Sequence, residues 1–236
     1  MTTRRLLGLN PSGVSGHFTF GSRILSFEPG HRASDEYIVP GFIDLQVNGA
    51  FGIDVTSASA TDLREISRRL VSEGTTAWLP TLITAPLDEV ERVDRVIAEA
   101  MTAQEEARRA ARAAGALFAE SAILGMHLEG PFVSPHRLGV HPPLNLLPRG
   151  EALQRVMRLQ TLRLITMAPE LEGALDAIRI LVDEGIAVSI GHTDASYEQA
   201  RAGIAAGARM FTHVFNAMPQ LHHRAPGAVG AALSDS

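Results

Sequence analysis

Three residues of metal-ligand type stand where apolar segments of the sequence end. Glu129 lies in GMHLEGPF, just before a Gly-Pro break, and His192 and His213 close the segments AVSIGH and ARMFTH. One carboxylate oxygen and two imidazole nitrogens suit zinc, and also iron, cobalt or manganese. Alone, each residue is more typical of a surface acid or a core histidine, but their shared position at strand ends favours a metal site. A metal there lowers the pKa of bound water to ~7 and polarises a carbonyl, so the pattern predicts hydrolysis of an amide or ester.

Other residues in the same regions are candidates for holding a substrate. Gln46 and Asn48 follow the first predicted strand and could hold a water or a substrate amide, although both are poor zinc ligands. Ordinary turn chemistry at an Asn-Gly pair explains them equally well. His141 and Arg224 are candidate substrate contacts, because arginine offers a fork for phosphate or carboxylate.

The remaining histidines carry less chemical signal. His127 lies two residues before the glutamate and faces the same side of its strand, so it lies beside the site or in the core. His222 and His223 flank the arginine and add polarity to its loop. His17 and His31 fall in a region without other site features, and we interpret both as surface residues.

The candidate residues belong to a regular alternation of strands and helices. Strands are predicted at residues 37–46, 75–82, 122–128, 162–167, 186–190 and 208–212. Helices are predicted at residues 61–72, 86–114, 151–159, 171–184 and 196–205, with loops at 130–148 and from 213 onward. This order indicates parallel βαβ units whose strand ends carry the chemistry, as in a (β/α)8 TIM barrel. An open doubly wound sheet is the alternative, but its nucleotide-binding forms need a Gly-x-Gly-x-x-Gly or Walker-type loop, and neither is present.

Length and composition limit the remaining choices. The 236 residues, 45% of them hydrophobic, suit one large domain with a small accessory element, and we assign residues 1–38 to a small β element and 39–236 to a partial barrel. A complete barrel takes ~250 residues and eight strands, so we expect a fragment. A net charge of −5 argues against nucleic acid as the partner, and the absence of cysteine excludes thiolate chemistry. No apolar run approaches the ~20 residues of a membrane span, and no signal peptide is seen, so a cytoplasmic protein is expected.

Five short segments together resemble one family. They are PGFIDLQVNG at 40–49, HLEGPF at 127–132, APE at 168–170, GHT at 191–193 and THVFNAMP at 212–219. In this order they resemble the N-acetylglucosamine-6-phosphate deacetylases of the amidohydrolase superfamily, over most of the chain from residue 40 to 233. The resemblance implies a barrel with a small β-sandwich built from both chain ends. It also implies removal of the acetyl group from N-acetylglucosamine 6-phosphate, giving glucosamine 6-phosphate and acetate.

The resemblance assigns roles to individual residues. It implies one metal ion, held by Glu129, His192 and His213, because Gln46-Val47-Asn48 stands where many members of the superfamily carry His-x-His. Contacts to the sugar phosphate are implied for a further group, namely Val140, His141, Asn216, Ala217 and Arg224. The implied partner is a small amino-sugar phosphate, with no nucleic acid or membrane, and we expect a homodimer in the complete protein.

One residue that the resemblance requires is missing. The family uses an Asp at the end of a later barrel strand as general acid and base, and we expect it beyond Ser236, because neither Asp194 nor Asp235 has the right place. The chain alone is therefore expected to bind metal weakly and to turn over poorly. Two alternatives stay open: another amidohydrolase, such as a dihydroorotase-like or adenine deaminase-like enzyme, or a non-catalytic fragment.

Overall fold

The computed structural model describes residues 3–20, 24–30 and 34–235. The chain begins with a small antiparallel sheet of three strands, β1 (Arg4–Leu9), β2 (Ser15–Phe20) and β3 (Ile24–Pro29). Phe18 is buried there against the rings of Phe20 and Phe27. The small β element is confirmed, while its completion to a sandwich stays a prediction. His17 is half-buried in β2 rather than on the surface, and His31 lies outside the described residues.

The main sheet gathers the candidate residues at one edge. The strands that follow the first sheet are β4 (Phe42–Val47), β5 (Gly49–Ala50), β6 (Ile53–Asp54), β7 (Thr75–Ile83), β8 (Ala122–Ile123), β9 (Met126–Glu129), β10 (Leu162–Met167), β11 (Ala187–Ile190) and β12 (Met210–Phe211). The sheet runs β4-β7-β9-β10-β11-β12, and every neighbouring pair is parallel. Strands adjacent in the chain are therefore adjacent in space, and their carboxyl ends meet at one edge. This half-barrel confirms the predicted α/β barrel class with six strands.

Helices cover the outer face of the sheet. They are α1 (Ala60–Leu70), followed by a 3-10 turn (Val71–Glu73), α2 (Leu87–Ala113), α3 (Gly150–Met157), α4 (Ala174–Asp183), α5 (Tyr197–Ala206) and α6 (Gly227–Ser234). Ser59 and Asp62 form a reciprocal capping box at the start of α1. Trp78 is fully buried and donates from Nε1 to Ser67 Oγ at 2.9 Å, which fixes α1 on the sheet. No helix in the described ranges has the length and apolarity needed to cross a membrane.

Three element predictions were wrong. The predicted third strand is interrupted between β8 and β9 at Gly125, where φ is +138° and a Cβ would lie 2.4 Å from the carbonyl oxygen of Thr161. The first predicted strand begins at Phe42 rather than at residue 37, and Phe42 and Ile43 are exposed because β4 is paired on one side only in the described chain. The predicted terminal loop contains α6, which the sequence hid because two glycines lower its helix propensity.

Candidate metal centre

Glu129, His192 and His213 converge at the carboxyl edge of the sheet. Nε2 of His192 and Nε2 of His213 each lie 3.1 Å from Oε1 of Glu129, and 3.0 Å from each other. Glu129 and His192 are buried, whereas His213 is partly open to solvent. The structure thus brings together the three residues that the sequence singled out.

Hydrogen bonds to the backbone orient both imidazoles. Nδ1 of His192 donates to the carbonyl oxygen of Arg137 at 2.9 Å, and Nδ1 of His213 donates to that of Asn216 at 3.1 Å. A carbonyl oxygen only accepts, so in each neutral ring Nε2 presents a lone pair. Three acceptors within 3.1 Å of one another require a cation between them. Ligand atoms around a tetrahedral zinc lie about 3.3 Å apart, so this triangle fits a metal ion after a small expansion.

Glu129 is the last residue of β9, and local backbone geometry places the two histidines just past β11 and β12. His192 and His213 adopt positive φ values of 48° and 32°, which turn their rings back over the end of the sheet. Gly191 is needed before His192, because a Cβ there would lie 2.7 Å from the Thr166 methyl group and 2.9 Å from Thr212 Cβ. The chain then turns away from the sheet.

The electrostatics of the group follow from its burial. Burial alone would raise the pKa of the Glu129 carboxyl, but the imidazoles of His141, His192 and His213 outweigh it and hold that pKa far below its ordinary value. The hydrogen bond to Glu129 raises the pKa of His213.

His127 lies beneath the triangle and is buried, as the sequence allowed. Its Nδ1 donates to the Leu45 carbonyl oxygen at 2.9 Å, so its Nε2 accepts from Thr166 Oγ1 at 2.8 Å. The Thr166 hydroxyl lies 2.7 Å from that of Thr212, which in turn lies 2.7 Å from Ser189 Oγ. Burial lowers the pKa of His127 to about 4, so the ring is neutral at pH 7. This chain of polar contacts links β9, β10 and β11 with the residue that follows β12, directly below the ligands.

His141 reaches the same site from the long loop that follows β9. The ring is buried, with its centroid 4.1 Å from that of His192, and its Nδ1 lies 2.8 Å from Thr84 Oγ1. Its Nε2 lies 3.8 Å from Glu129 Oε2, beyond hydrogen-bond distance, and has no partner among the described residues.

The other predicted substrate residues lie in the two loops that carry His141 and His213. Val140 is 86% exposed, and Arg224 is exposed and pairs with no carboxylate among the described residues. Asn216 and Ala217 are tied in through their backbones: Asn216 O accepts from His213, and Ala217 O accepts from the amide of Thr193 at 3.1 Å. Their contact with a substrate stays a prediction.

The first-strand candidates Gln46 and Asn48 lie at the end of β4. Asn48 Nδ2 donates to the Thr81 carbonyl oxygen at 3.4 Å, and the backbone oxygen of Asn48 accepts from Val55. Neither side chain is hydrogen-bonded to the three ligand residues in the described structure. A role for either in the site remains a prediction.

Sequence reasoning missed residues that support the ligands. Arg137 bonds His192 through its carbonyl oxygen, and its guanidinium pairs with Asp194 at 2.7 Å. Glu170 accepts from the Thr193 hydroxyl at 2.5 Å and from the Asp194 amide at 2.7 Å. The APE segment was a signal for Glu170, whereas nothing in the sequence distinguishes Arg137.

A parallel strand-helix sheet with a carboxylate and two imidazoles at its carboxyl edge defines a barrel-type protein with a candidate active site at those strand ends. The chain belongs to the amidohydrolase family, whose model matches residues 37–234.

The curated relatives are deacetylases of amino-sugar phosphates. The N-acetylglucosamine-6-phosphate deacetylase of Bos taurus is 37% identical over 234 residues, covering 91% of this chain and 54% of that protein. The N-acetylgalactosamine-6-phosphate deacetylase of Escherichia coli O157:H7 is 38% identical over 203 residues, covering 85% of this chain and 50% of that protein. The chain therefore spans about half the length of these relatives.

Solved structures that superpose on this chain are also N-acetylglucosamine-6-phosphate deacetylases. The N-acetyl-D-glucosamine-6-phosphate deacetylase of Mycobacterium smegmatis superposes with a TM-score of 0.77 at 33% identity, over 94% of this chain and 57% of that one. A mutant of the same enzyme in complex with N-acetyl-D-glucosamine-6-phosphate gives a TM-score of 0.78 at 30% identity, over 100% of this chain and 61% of that one. The N-acetylglucosamine-6-phosphate deacetylase of Thermotoga maritima gives a TM-score of 0.79 at 26% identity, over 99% of this chain and 60% of that one.

Proposed function

We propose that this chain serves the deacetylation of N-acetylglucosamine 6-phosphate, giving glucosamine 6-phosphate and acetate. The observation that carries the proposal is the triangle of Glu129, His192 and His213, whose three acceptor atoms lie within 3.1 Å of one another and call for a cation. The deacetylase relatives support the same substrate class.

The residues of the site suit the hydrolysis of an acetamide. One divalent ion held by the three ligands, zinc foremost and iron, cobalt or manganese as alternatives, would supply an activated water and polarise the acetyl carbonyl. The His141 side chain would donate to the carbonyl oxygen. The exposed Arg224, which pairs with no carboxylate among the described residues, offers a fork for the 6-phosphate and lies in the loop that carries Asn216 and Ala217.

A general acid and base is the missing part of this chemistry. Asp194 pairs with Arg137, Asp235 pairs with Arg201, and no aspartate joins the ligand group within the described ranges. We therefore expect slow turnover by these residues alone, because general acid-base catalysis contributes roughly 10²–10⁴-fold.

The test is release of acetate from N-acetylglucosamine 6-phosphate by the zinc-supplemented chain. We expect acetate and free amine in equal amounts, at a rate well below that of the complete relatives, together with saturable binding of the substrate in ligand-observed NMR. Glu129→Gln should abolish acetate release. If the chain neither binds the sugar nor releases acetate, the proposal is refuted. Release of ammonia or ring opening of another substrate would favour a different amidohydrolase.

The galactosamine epimer is the second candidate substrate. One relative that is 38% identical is an N-acetylgalactosamine-6-phosphate deacetylase, and an N-acetylglucosamine-6-phosphate deacetylase has the same identity to this chain. The same acetate assay on both sugars decides between them, and we expect the glucosamine epimer to give the higher kcat/KM.

A further inference from the structure

His141 has one nitrogen bonded and one buried nitrogen unbonded. The residue is 5% exposed, and its Nε2 is one of two buried side-chain atoms without a partner in the described structure, the other being Ser121 Oγ. A buried donor without a partner is unfavourable, because it has lost its hydrogen bonds to water. Because Nε2 points toward Glu129 Oε2 from 3.8 Å, the unsatisfied nitrogen faces the space beside the ligand triangle.

Thr84 determines which nitrogen of His141 carries the proton. The Thr84 backbone N–H donates to Nδ1 at 3.4 Å, and the Thr84 hydroxyl lies 2.8 Å from the same atom. A backbone N–H cannot accept, so Nδ1 is the acceptor and the proton of the neutral ring lies on Nε2. The nitrogen aimed at the site is thus a hydrogen-bond donor.

The position of the Thr84 hydroxyl is itself fixed. Thr84 follows the last residue of β7 and is 2% exposed. On its other side lies Gly130, where φ is +96° and a Cβ would come within 2.2 Å of Thr84 Oγ1. A side chain at residue 130 would thus displace the hydroxyl, and glycine leaves room for it between the Glu129 segment and the His141 ring.

We propose that Thr84 is a positioning residue that holds His141 in its Nε2–H tautomer, with that N–H directed at the acyl oxygen of the substrate. The tautomer follows from contacts within this chain. The identification of the acyl oxygen as the acceptor of this N–H rests on the proposed function. The role of Thr84 was not visible in the sequence, where this residue is one of several threonines near strand ends. The hydroxyl supplies the geometry, because the backbone amide alone lies 3.4 Å from the ring nitrogen.

The tautomer can be read directly by NMR. Histidine-15N-labelled chain with zinc bound should show His141 as the Nε2–H form in a long-range 1H–15N correlation, with its signals assigned by their loss in His141→Asn. Thr84→Ser, which keeps the hydroxyl, should preserve this pattern. Thr84→Val, which keeps shape and backbone amide but loses the hydroxyl, should shift both nitrogen signals toward a mixture of tautomers. An Nδ1–H form in the parent, or unchanged signals in Thr84→Val, would overturn the proposal.

A kinetic comparison separates this proposal from the proposed function. In the acetate assay Thr84→Val should lower kcat about tenfold or more with little change in KM, while Thr84→Ser stays within about twofold of the parent. If no form of the chain binds the sugar or releases acetate, the proposed function fails, and the NMR comparison still decides whether Thr84 sets the tautomer. If acetate is released equally by Thr84→Val and the parent, the positioning role is wrong and the proposed function stands.

Discussion

Glu129 is an almost fully buried carboxylate whose nearest neighbours are imidazoles. Removing such a charge from water costs several kcal/mol unless opposite charge or hydrogen bonds replace the lost hydration. The Nδ1 bonds of His192 and His213 to backbone carbonyls turn the Nε2 lone pairs of the neutral rings toward the carboxylate, so neither neutral ring donates to Oε1. The arrangement is consistent only with a cation in the triangle, either a metal ion or a proton.

The first prediction concerns the charge of this carboxylate. Glu129→Gln keeps the size of the side chain but removes the negative ligand, so zinc bound per chain should fall about tenfold or more at a fixed free zinc concentration. Equilibrium dialysis with elemental analysis measures it. Glu151→Gln, an exposed acid at the start of α3, is the matched control and should retain the parental content. Parental zinc content in Glu129→Gln would show that the ligand set is wrong.

At the scale of single residues, the sequence predicts ligands better than their supports. Glu129, His192 and His213 were recognisable because each is a metal-ligand type that stands at or just after the end of an apolar run. Thr84 and Arg137 were not, because a threonine at a strand end is common and Arg137 acts through its backbone oxygen, which carries no sequence signal. Supports of this kind depend on long-range contacts that only the fold brings together.

Between elements, Glu120 joins α1 to the segment that follows α2. Its side chain is 7% exposed and bonds Arg64 at 2.7 Å, Arg68 at 3.2 Å and the buried amide of Gln104 at 3.3 Å. Burial raises the pKa of the Glu120 carboxyl, but the bonds from Arg64 and Gln104 outweigh it and lower that pKa below its ordinary 4.5. A carboxylate whose pKa is lowered by folding stabilises the folded state wherever it is ionised.

The second prediction follows from the lowered pKa of the Glu120 carboxyl. Glu120→Gln should lower the free energy of unfolding by about 2 kcal/mol at pH 7, because two arginines lose a largely buried partner. The stabilisation by Glu120 is complete above pH 4.5, the pKa of the unfolded side chain, and is lost as the pH falls through the lower folded pKa. The difference in the free energy of unfolding between parent and variant should therefore narrow below about pH 4.5. Urea unfolding at pH 7, 5 and 3.5 measures it.

The control for Glu120 is a glutamate on α1, the helix that carries both of its arginine partners. Glu65 pairs with Arg68 at 3.2 Å, but both side chains are more than 40% exposed. Glu65→Gln should therefore change the free energy of unfolding by less than about 0.5 kcal/mol at every pH. Equal effects of the two substitutions would mean that burial of Glu120 does not set its contribution.

Helices and strands with strong hydrophobic periodicity were predicted well from the sequence. Long amphipathic helices and apolar strands were predicted to within a few residues, as for α2 and β10, because their periodicity is carried by many side chains. The helix α6 was missed because Gly227 and Gly230 oppose helix formation, and its stability comes from packing: Ala228, Val229 and Ala231 are buried in one cluster with residues of α5 and of the preceding loop. Tertiary packing overrides propensity there, and a single sequence does not show it.

The whole molecule has a sheet whose outer strands are paired on one side only. In the described chain β4 pairs with β7 and β12 with β11, and neither has a second neighbour. Phe42 and Ile43 on β4 are 68% and 60% exposed, an unusual state for apolar residues of a parallel sheet. Unpaired backbone groups and exposed apolar side chains on one strand favour pairing with another strand.

The last prediction is that these 236 residues associate with one another through β4. Light scattering coupled to gel filtration should show a mass that rises with concentration, and Phe42→Lys should shift the chain toward monomer, because a charge on an edge strand opposes strand addition. Leu117→Lys is the matched control, since Leu117 is 73% exposed but lies in the loop between α2 and β8 rather than on a strand. Association that is lost equally in both variants would point to general surface hydrophobicity instead. A monomer at all concentrations would show that the β4 edge is not available for pairing.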